Sequence, residues 1–337
     1  MKKIIKNILP YNDPQKYTEG TEYVSCFFSA LFALVVSNGK EVLPYISNNI
    51  FYYGYNPKES DLRFKYGIQI IMQKSLEEIN AEQGIFFSGM RIPDCQIVQY
   101  IENKIDKEMP VCVGVDLFDL SYRKDRYHKI HTPHSLLVYG YDKGKQRFNI
   151  LDNLNNAEYS ETFCSYADLY SAYTNCLNII SQSVVYTFEI DKNKINEKFN
   201  VIDYRNEFIE NLLSNKTIIF ENLECLKELY KEIKIILLSK EYLVNKGMEL
   251  FNLIHYQILN IRKAELYTFY RMLGVEQIIN EFKQIIFQWE KVRNYMYRYI
   301  TAENVNKEKV EVICEHIKIV YKIEYKFYVK LFDSLST

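Results

Sequence analysis

The distribution of proline and glycine along the chain constrains its fold most strongly. All seven prolines lie in the first 133 residues, and only Gly247 and Gly274 follow residue 144 among the glycines. Because these residues mark turns and loops, we expect a loop-rich mixture of helices and strands first, and long uninterrupted helices later. The polar run 191–200 is the predicted boundary. The sequence therefore predicts two domains, residues 1–192 and residues 193–337.

The composition is typical of a globular protein and excludes several classes. The chain has 337 residues, 48% hydrophobic and 25% charged, and 42 basic against 43 acidic residues give a net charge of -1, which argues against a nucleic-acid partner. The seven cysteines are scattered without a CxxC pair, so neither a zinc knuckle nor a disulfide framework is predicted. No signal peptide and no apolar run of about 18 residues is present. We therefore expect a cytoplasmic protein with no membrane partner.

The second part of the chain carries apolar residues at helical spacing. Runs of this kind cover residues 219–238, 244–273, 278–299 and 310–331, the last interrupted only at Glu324. Apolar stripes three and four residues apart are the buried faces of packed helices. The sequence predicts an antiparallel all-α helical bundle here, and no cofactor site.

The stretch 110–153 reads as strand, polar loop, strand, tight turn and strand. A helix over residues 93–106 precedes it, since Ile97, Ile101 and Ile105 recur four residues apart. A Val-rich strand begins after Pro110, and HSLLVYGYD begins the next at His134. A helix near residue 170 and a strand over 183–190 complete the predicted sheet. The earlier aromatic segment 38–91 is predicted to be irregular, with one helix over 68–79.

The length of the turn at residues 143–145 decides whether Asp152 or Asn153 lies beside His134. Side chains alternate between the two faces of a strand. With a three-residue loop, Asp152 lies opposite Leu136 and shares the face of His134; with a four-residue loop, Asn153 takes that place. The three-residue loop, which includes Gly144, is favoured. Either side chain could orient the imidazole, as Asp and Asn do in Cys-His triads, although Asp152 could instead cap a turn.

Cys26 is the candidate nucleophile. It begins an apolar run that continues to Val36, and Ser25 before it is a preferred helix N-cap residue. A thiolate at a helix N-terminus is stabilised by the helix dipole. The alternative is a buried and unreactive cysteine.

The spacing His128-x-x-His131-x-x-His134 also suggests a metal site. Ligands three residues apart share a face on a helix, but Pro133 makes a helix improbable there, and no acidic or cysteine ligand is spaced to complete a site. We therefore predict no metal and no cofactor, with two solvated loop histidines beside one functional residue, His134.

The order of these motifs resembles a known family. Cys26 at a helix start, then PVCVGVDLFDLSY, Tyr127, HSLLVYGYD and ILD are similar to the N-terminal domain family of butirosin biosynthesis protein H, over roughly residues 15–190. That family belongs to the papain-like cysteine peptidase superfamily, near the peptidases that process double-glycine leader peptides. The resemblance implies an α+β papain-like cysteine protease fold with an antiparallel sheet, and a catalytic triad of Cys26, His134 and Asp152.

The resemblance also implies a reaction. Members of the family look like acyltransferases that move an acyl group from a carrier-protein thioester to an amine in antibiotic biosynthesis. The expected partners are therefore an acyl or peptidyl carrier protein bearing phosphopantetheine and a small amine; non-ribosomal assembly of closthioamide-like polythioamides is one setting. Two departures stand out: Asn153 replaces the family's proline after the acid, and no glutamine lies shortly before Cys26. A cysteine peptidase or amidase with the same triad, and a non-catalytic binding protein, are the rival hypotheses.

Overall fold

A computed structural model of the chain describes residues 1–11, 26–154, 158–179, 185–191, 194, 200–302 and 304–336. The N-cap predicted at Ser25 and most of the predicted boundary 191–200 lie outside these ranges. Contacts between Cα atoms divide the chain into two compact units. Unit 1 contains residues 1–42 and 74–199, and unit 2 contains residues 43–73 and 200–337.

Nine strands are described. They are β1 Lys2–Ile4, β2 Asn49–Tyr55, β3 Tyr66–Met72, β4 Ile85–Met90, β5 Val111–Asp116, β6 Pro133–Asp142, β7 Arg147–Leu154, β8 Glu158–Ser165 and β9 Val185–Ile190.

The described helices alternate with strands in the first half and follow one another in the second. They are α1 Cys26–Ser37, α2 Leu43–Ser47, α3 Leu62–Lys65, α4 Leu76–Gln83, α5 Ile97–Asp106, α6 Tyr166–Ile179, α7 Val201–Ser214, α8 Lys216–Leu223, α9 Cys225–Leu238, α10 Lys240–Asn252, α11 Asn260–Met272, α12 Glu276–Thr301 and α13 Lys307–Leu335. A π-helical segment, Leu253–Leu259, joins α10 to α11.

Unit 1 is built on an antiparallel sheet. Its strand order is β4-β9-β5-β6-β7-β8, and β1 pairs with the far end of β6. Alternate residues of β5, β6 and β7 pack with α5 and α6 into one apolar core that includes Val113, Leu136 and Ile150. Helix α1 packs against β6 and β7 with its residues 30–35 fully buried. The predicted α+β class, with a cysteine-bearing helix against an antiparallel sheet, is confirmed.

Unit 2 contains a β-hairpin as well as helices. Strands β2 and β3 pair antiparallel over seven residue pairs, from Asn49 opposite Met72 to Tyr55 opposite Tyr66. Helices α7 to α13 account for most of the remainder, so the predicted helical region is confirmed.

The hairpin segment departs from the sequence prediction in two respects. The helix predicted over 68–79 is wrong: strand β3 occupies its first half and α4 its end. Residues 43–73 also group with the helices of unit 2, whereas the predicted division placed them in a domain ending at residue 192. The physical reason is that Lys65 forms a 2.7 Å ion pair with Glu232 and Tyr53 donates a 2.6 Å hydrogen bond to Glu324.

Glu324, which interrupts the apolar stripe of α13, belongs to a buried ionic cluster. Arg262 pairs with Glu324 at 2.9 Å and with Glu265, and all three side chains are almost fully buried. Tyr53 and Trp289 also donate hydrogen bonds to Glu324, at 2.6 and 3.1 Å. Burial raises the pKa of both glutamates, and Arg262 opposes that rise. The charged residue is therefore a core residue of unit 2 with its own partners.

Candidate active site

His134 and Asp152 meet at one end of the unit 1 sheet. His134 is the second residue of β6, and Asp152 lies near the end of the neighbouring strand β7. The imidazole Nε2 lies 2.5 Å from Asp152 Oδ1. The His134 side chain is 11% exposed and that of Asp152 is fully buried. The structure thus places the predicted histidine and acid in direct contact, shielded from water.

The register that joins them differs from the predicted one. Asp142 pairs with Arg147, so the turn contains four residues, and a three-residue turn is wrong. A four-residue turn by itself would put Asn153 beside His134. However, a β-bulge between Val138 and Gly140 shifts the register back by one residue, so that Leu137 pairs with Leu151. The bulge therefore returns Asp152 to the face of His134.

Asp152 is held by further donors. Its Oδ2 accepts a 2.7 Å hydrogen bond from the Tyr122 hydroxyl and lies 3.5 Å from Arg123 Nη1. Its Oδ1 also accepts from the Asn153 backbone N–H at 2.7 Å. Burial alone would raise the pKa of Asp152, but the charge and hydrogen bond of His134, with Arg123 and Tyr122, lower it. The carboxyl group is therefore ionised at neutral pH.

Tyr122, Arg123 and Ser135 are the site residues that the sequence analysis did not single out. Tyr122 closes the block VDLFDLSY on which the family resemblance rests, so a signal for it was present. Arg123 sits in a polar loop with several other basic residues, and nothing in its local sequence distinguishes it. Ser135 is a small polar residue within a strand and gives no pattern of its own.

Cys26 is the first residue of α1 and interacts with His134. The thiol interacts with the His134 ring and with the side chain and backbone of Ser135, and these interactions lower its pKa. Since Asp152 occupies Nε2 of the ring, Nδ1 is the nitrogen left for the sulfur. The structure therefore brings together all three predicted site residues, Cys26, His134 and Asp152.

The electrostatics of the pair favour a thiolate and an imidazolium. Burial alone would raise the pKa of Cys26, but the charge of His134 and the hydrogen bonds from His134 and Ser135 lower it. Burial would lower the pKa of His134, but Asp152 and Cys26 raise it well above its usual value. By contrast, burial raises the pKa of Cys112 and Cys164. Among these thiols, Cys26 is the one prepared to act as a nucleophile.

Aromatic side chains surround the first turn of α1. Phe27 packs against Tyr186 at a ring-centroid distance of 4.8 Å and against Phe87 at 6.0 Å. Phe188 lies 6.3 Å from the same ring. The residue next to the nucleophile thus belongs to a largely half-buried aromatic cluster.

The other two histidines of the triple spacing lie in the loop before β6. His131 contacts Asp116, and His128 stacks on Tyr127 at 4.0 Å. No group of three or more metal-ligating side chains that could hold an ion occurs in the described part of the chain. Within the same residues, no helix is both long and apolar enough to cross a membrane.

One comparison with known proteins covers part of this site. Residues 94–153 match the family model described as Butirosin biosynthesis protein H, N-terminal. The crystal structure of a candidate C39-like peptidase from Bacillus anthracis matches with a TM-score of 0.36 and 10% identity, covering 57% of this chain and 98% of that one. That likeness is too distant to support an argument about activity. No curated protein sequence matches the chain.

The family match covers the part of the chain that supplies His134 and Asp152, whereas Cys26 lies outside it. Together with the geometry around Cys26, the match indicates a cysteine-type enzyme. The resemblance drawn from the sequence is confirmed over this segment, where residues 94–153 are similar to the butirosin biosynthesis protein H, N-terminal family.

Proposed function

We propose that the protein is a cysteine-dependent acyltransferase that forms an amide in natural-product biosynthesis. The acyl group would come from a carrier-protein phosphopantetheine thioester and pass through Cys26 to an amine. The observation that carries the proposal is the Cys26–His134–Asp152 arrangement, in which one ring nitrogen contacts the acid and the other faces the thiol. The choice of an amine rather than water as acceptor is supported by the family resemblance.

In the first half-reaction, the Cys26 thiolate attacks the thioester carbonyl. The backbone N–H groups at the start of α1 would stabilise the developing oxyanion, because the N-terminus of a helix carries unpaired donors and partial positive charge. The His134 imidazolium then donates its proton to the departing pantetheine sulfur. The product is a Cys26 thioester beside a neutral His134, still held through Nε2 by Asp152.

In the second half-reaction, the amine nitrogen attacks the Cys26 thioester while His134 takes one N–H proton. Collapse of the tetrahedral intermediate expels the Cys26 thiolate and restores the thiolate–imidazolium pair. A thioester exchanges with another thioester at little cost in free energy, whereas amide formation is favourable. The apolar cluster of Phe27, Phe87 and Tyr186 supports this scheme, since it would slow hydrolysis of the intermediate.

The proposal is tested by product analysis. The enzyme is incubated with a panel of acyl-pantetheine thioesters and primary amines, and amide and free acid are quantified by mass spectrometry. We expect amide as the main product, with its share of the total rising with amine concentration. Hydrolysis without amide across the whole panel, at every amine concentration, would show a peptidase-like or amidase-like hydrolase and overturn the proposal.

Two variants serve as controls. Cys26→Ala removes the nucleophile and is expected to abolish amide formation. Cys95→Ala removes an exposed cysteine in the same unit and is expected to retain wild-type activity. Equal amide formation by Cys26→Ala and the wild type would contradict a covalent mechanism at Cys26.

A further inference from the structure

A second histidine–carboxylate pair lies beside the proposed triad. His131 Nδ1 lies 2.5 Å from Asp116 Oδ2. Asp116 is fully buried, whereas the His131 side chain is 55% exposed. The other carboxylate oxygen, Oδ1, accepts hydrogen bonds from the backbone N–H groups of Thr132 and Phe118, at 2.8 and 3.1 Å. The carboxylate is thus fixed by the chain around it, and it fixes one nitrogen of an exposed imidazole.

The orientation of the His131 ring is held from a second direction. The ring stacks on Phe118 with a centroid distance of 4.1 Å and an interplanar angle of 16°. With an Nδ1–H bond to Asp116, the ring keeps its lone pair on Nε2, the nitrogen away from the carboxylate. In that tautomer, His131 presents a proton acceptor at a fixed position on the exposed side of the loop.

The His131–Asp116 pair lies at the end of the sheet where His134 and Cys26 meet. Asp116 follows Val115, which is the partner of His134 in the β5–β6 pairing. With usual strand spacings, the Cα atoms of Asp116 and His134 lie about 6 Å apart. Burial, together with the charges of Asp116 and Cys26, raises the pKa of Cys176 to about 11, so both groups act on the same buried thiol.

Amide formation from an amine that arrives as its ammonium ion requires a proton acceptor beyond His134. A primary alkylamine with a pKa near 10.4, as in lysine, is unprotonated in only about one molecule in 2,500 at pH 7. One proton must leave the ammonium ion before its nitrogen can attack, and a second must leave as the bond forms. His134 is available for only one of them. Hydrolysis has no such requirement, because water enters with its lone pairs free.

We propose that His131 is the base that deprotonates the incoming ammonium ion, and that Asp116 is its positioning residue. The inference rests on the proposed amide-forming function. His131 Nε2 takes one proton from R–NH3⁺, the freed lone pair forms the C–N bond with the Cys26 thioester, and His134 takes the second proton. The C–S bond then breaks to give the amide and the Cys26 thiolate. His131 finally releases its proton to solvent, so charge and atoms balance.

The test compares His131→Gln with the wild type in three reactions at pH 7. These are formation of the Cys26 acyl-enzyme from acetyl-pantetheine, transfer of acetyl to butylamine, and transfer to hydroxylamine, which is mostly unprotonated at this pH. Glutamine can still donate a hydrogen bond to Asp116 but cannot take up a proton. The matched control is His128→Asn, because His128 lies in the same loop and its ring also packs near Phe118, at 5.2 Å.

We expect His131→Gln to lower transfer to butylamine by about 100-fold, the lower end of the range for general acid–base catalysis. Acyl-enzyme formation and transfer to hydroxylamine should stay within about threefold of wild type. The deficit with butylamine should shrink as the pH approaches 10, where the free amine becomes abundant. His128→Asn should match the wild type in all three reactions.

Three results would overturn the inference. An unchanged rate with butylamine would remove His131 from the reaction. An equal loss in all three reactions would show that the pair only holds the loop. Acyl-enzyme formation without amide from either amine in the wild type would overturn the proposed function itself, and the inference with it; the wild-type reactions thus separate the two failures.

Discussion

Replacing Asp152 by asparagine removes one charge from the site while keeping the size of the side chain. The carboxylate is fully buried and contacts His134 Nε2 at 2.5 Å. An asparagine can still accept a hydrogen bond from the ring, but it no longer stabilises the imidazolium by charge. We therefore expect Asp152→Asn to lower the pKa of His134 and, through it, to raise the pKa of Cys26.

The size of the effect follows from the distance between the charges. Opposite charges with centres about 4 Å apart interact by about 4 kcal/mol at an effective dielectric constant near 20. This corresponds to a factor of about 10³ in an equilibrium constant. Since the asparagine keeps part of the hydrogen bond, we expect the pKa of His134 to fall by less than the full charge interaction would give. The thiolate–imidazolium population at neutral pH, and with it the reactivity of Cys26, should fall by about 10²–10³-fold.

The assay is alkylation of Cys26 by iodoacetamide between pH 4 and 9, quantified by peptide mass spectrometry. At neutral and mildly acidic pH the wild type should react faster than Asp152→Asn, because its Cys26 pKa is lowered. Asp152→Asn should react slowly at pH 7 and recover only at alkaline pH. Exposed Cys95 in the same samples reports any general change in thiol reactivity.

The matched control is Asn153→Ala, at the residue that a one-residue change of register would place beside His134. We expect its Cys26 alkylation rate to stay within about threefold of wild type. A wild-type rate at pH 7 in Asp152→Asn, together with a slow rate in Asn153→Ala, would refute the assignment of the acid. It would show that Asn153 orients the imidazole.

Three further predictions concern the groups that support the two buried clusters. Tyr122→Phe removes a hydrogen bond to the buried Asp152 carboxylate and should cost roughly 1.5–3 kcal/mol of unfolding free energy, measured by urea denaturation; a change below about 0.5 kcal/mol would show that this bond has little net value. Arg262→Met leaves two buried glutamates without their cation and should cost roughly 3–5 kcal/mol in the same assay, more than Tyr53→Phe. Because the folded-state pKa of Asp152 is lowered, its ionisation stabilises the fold above about pH 4, the unfolded value. The difference in Tm between the wild type and Asp152→Asn should therefore shrink as the pH falls below 4, and a constant difference would contradict the lowered pKa.

The sequence predicted the strands that carry His134 and Asp152 because their pattern is local and strongly periodic. The Val-rich strand β5 and the strand that begins near His134 alternate clearly and are bounded by Pro110 and a glycine-containing turn. The helices of unit 2 were predicted for the same reason, since their apolar stripes recur over many turns and are broken only at Glu324. In each unit, the periodic residues are those buried against neighbouring elements of the same unit.

The register at Asp152 shows the limit of such reasoning. The turn was predicted one residue too short, and the bulge between Val138 and Gly140 was not predicted. The two errors cancel, and Asp152 lies beside His134 for a reason that the sequence does not display. A bulge depends on how the strand packs and twists, which a period-two pattern cannot report.

Unpredicted elements depend on distant contacts. Strand β3 and its partner β2 were expected to be irregular or helical, because their aromatic residues follow no single period. They form a hairpin, and its Tyr53 hydroxyl donates a hydrogen bond to Glu324, which is 271 residues away in the chain. The role of Glu324 was also not predicted, because its partner Arg262 lies 62 residues away in the chain and the sequence does not show that they pair.

The most direct test of the account is to trap the acyl-enzyme. Wild-type protein is mixed with an acyl-pantetheine thioester in the absence of amine, quenched in acid, and analysed by intact-mass measurement and peptide mapping. The account predicts one acyl group per chain, located on Cys26, which disappears as amide forms when an amine is added. No adduct on Cys26 in a protein that still makes amide, or an adduct on another residue that transfers equally well in Cys26→Ala, would contradict it.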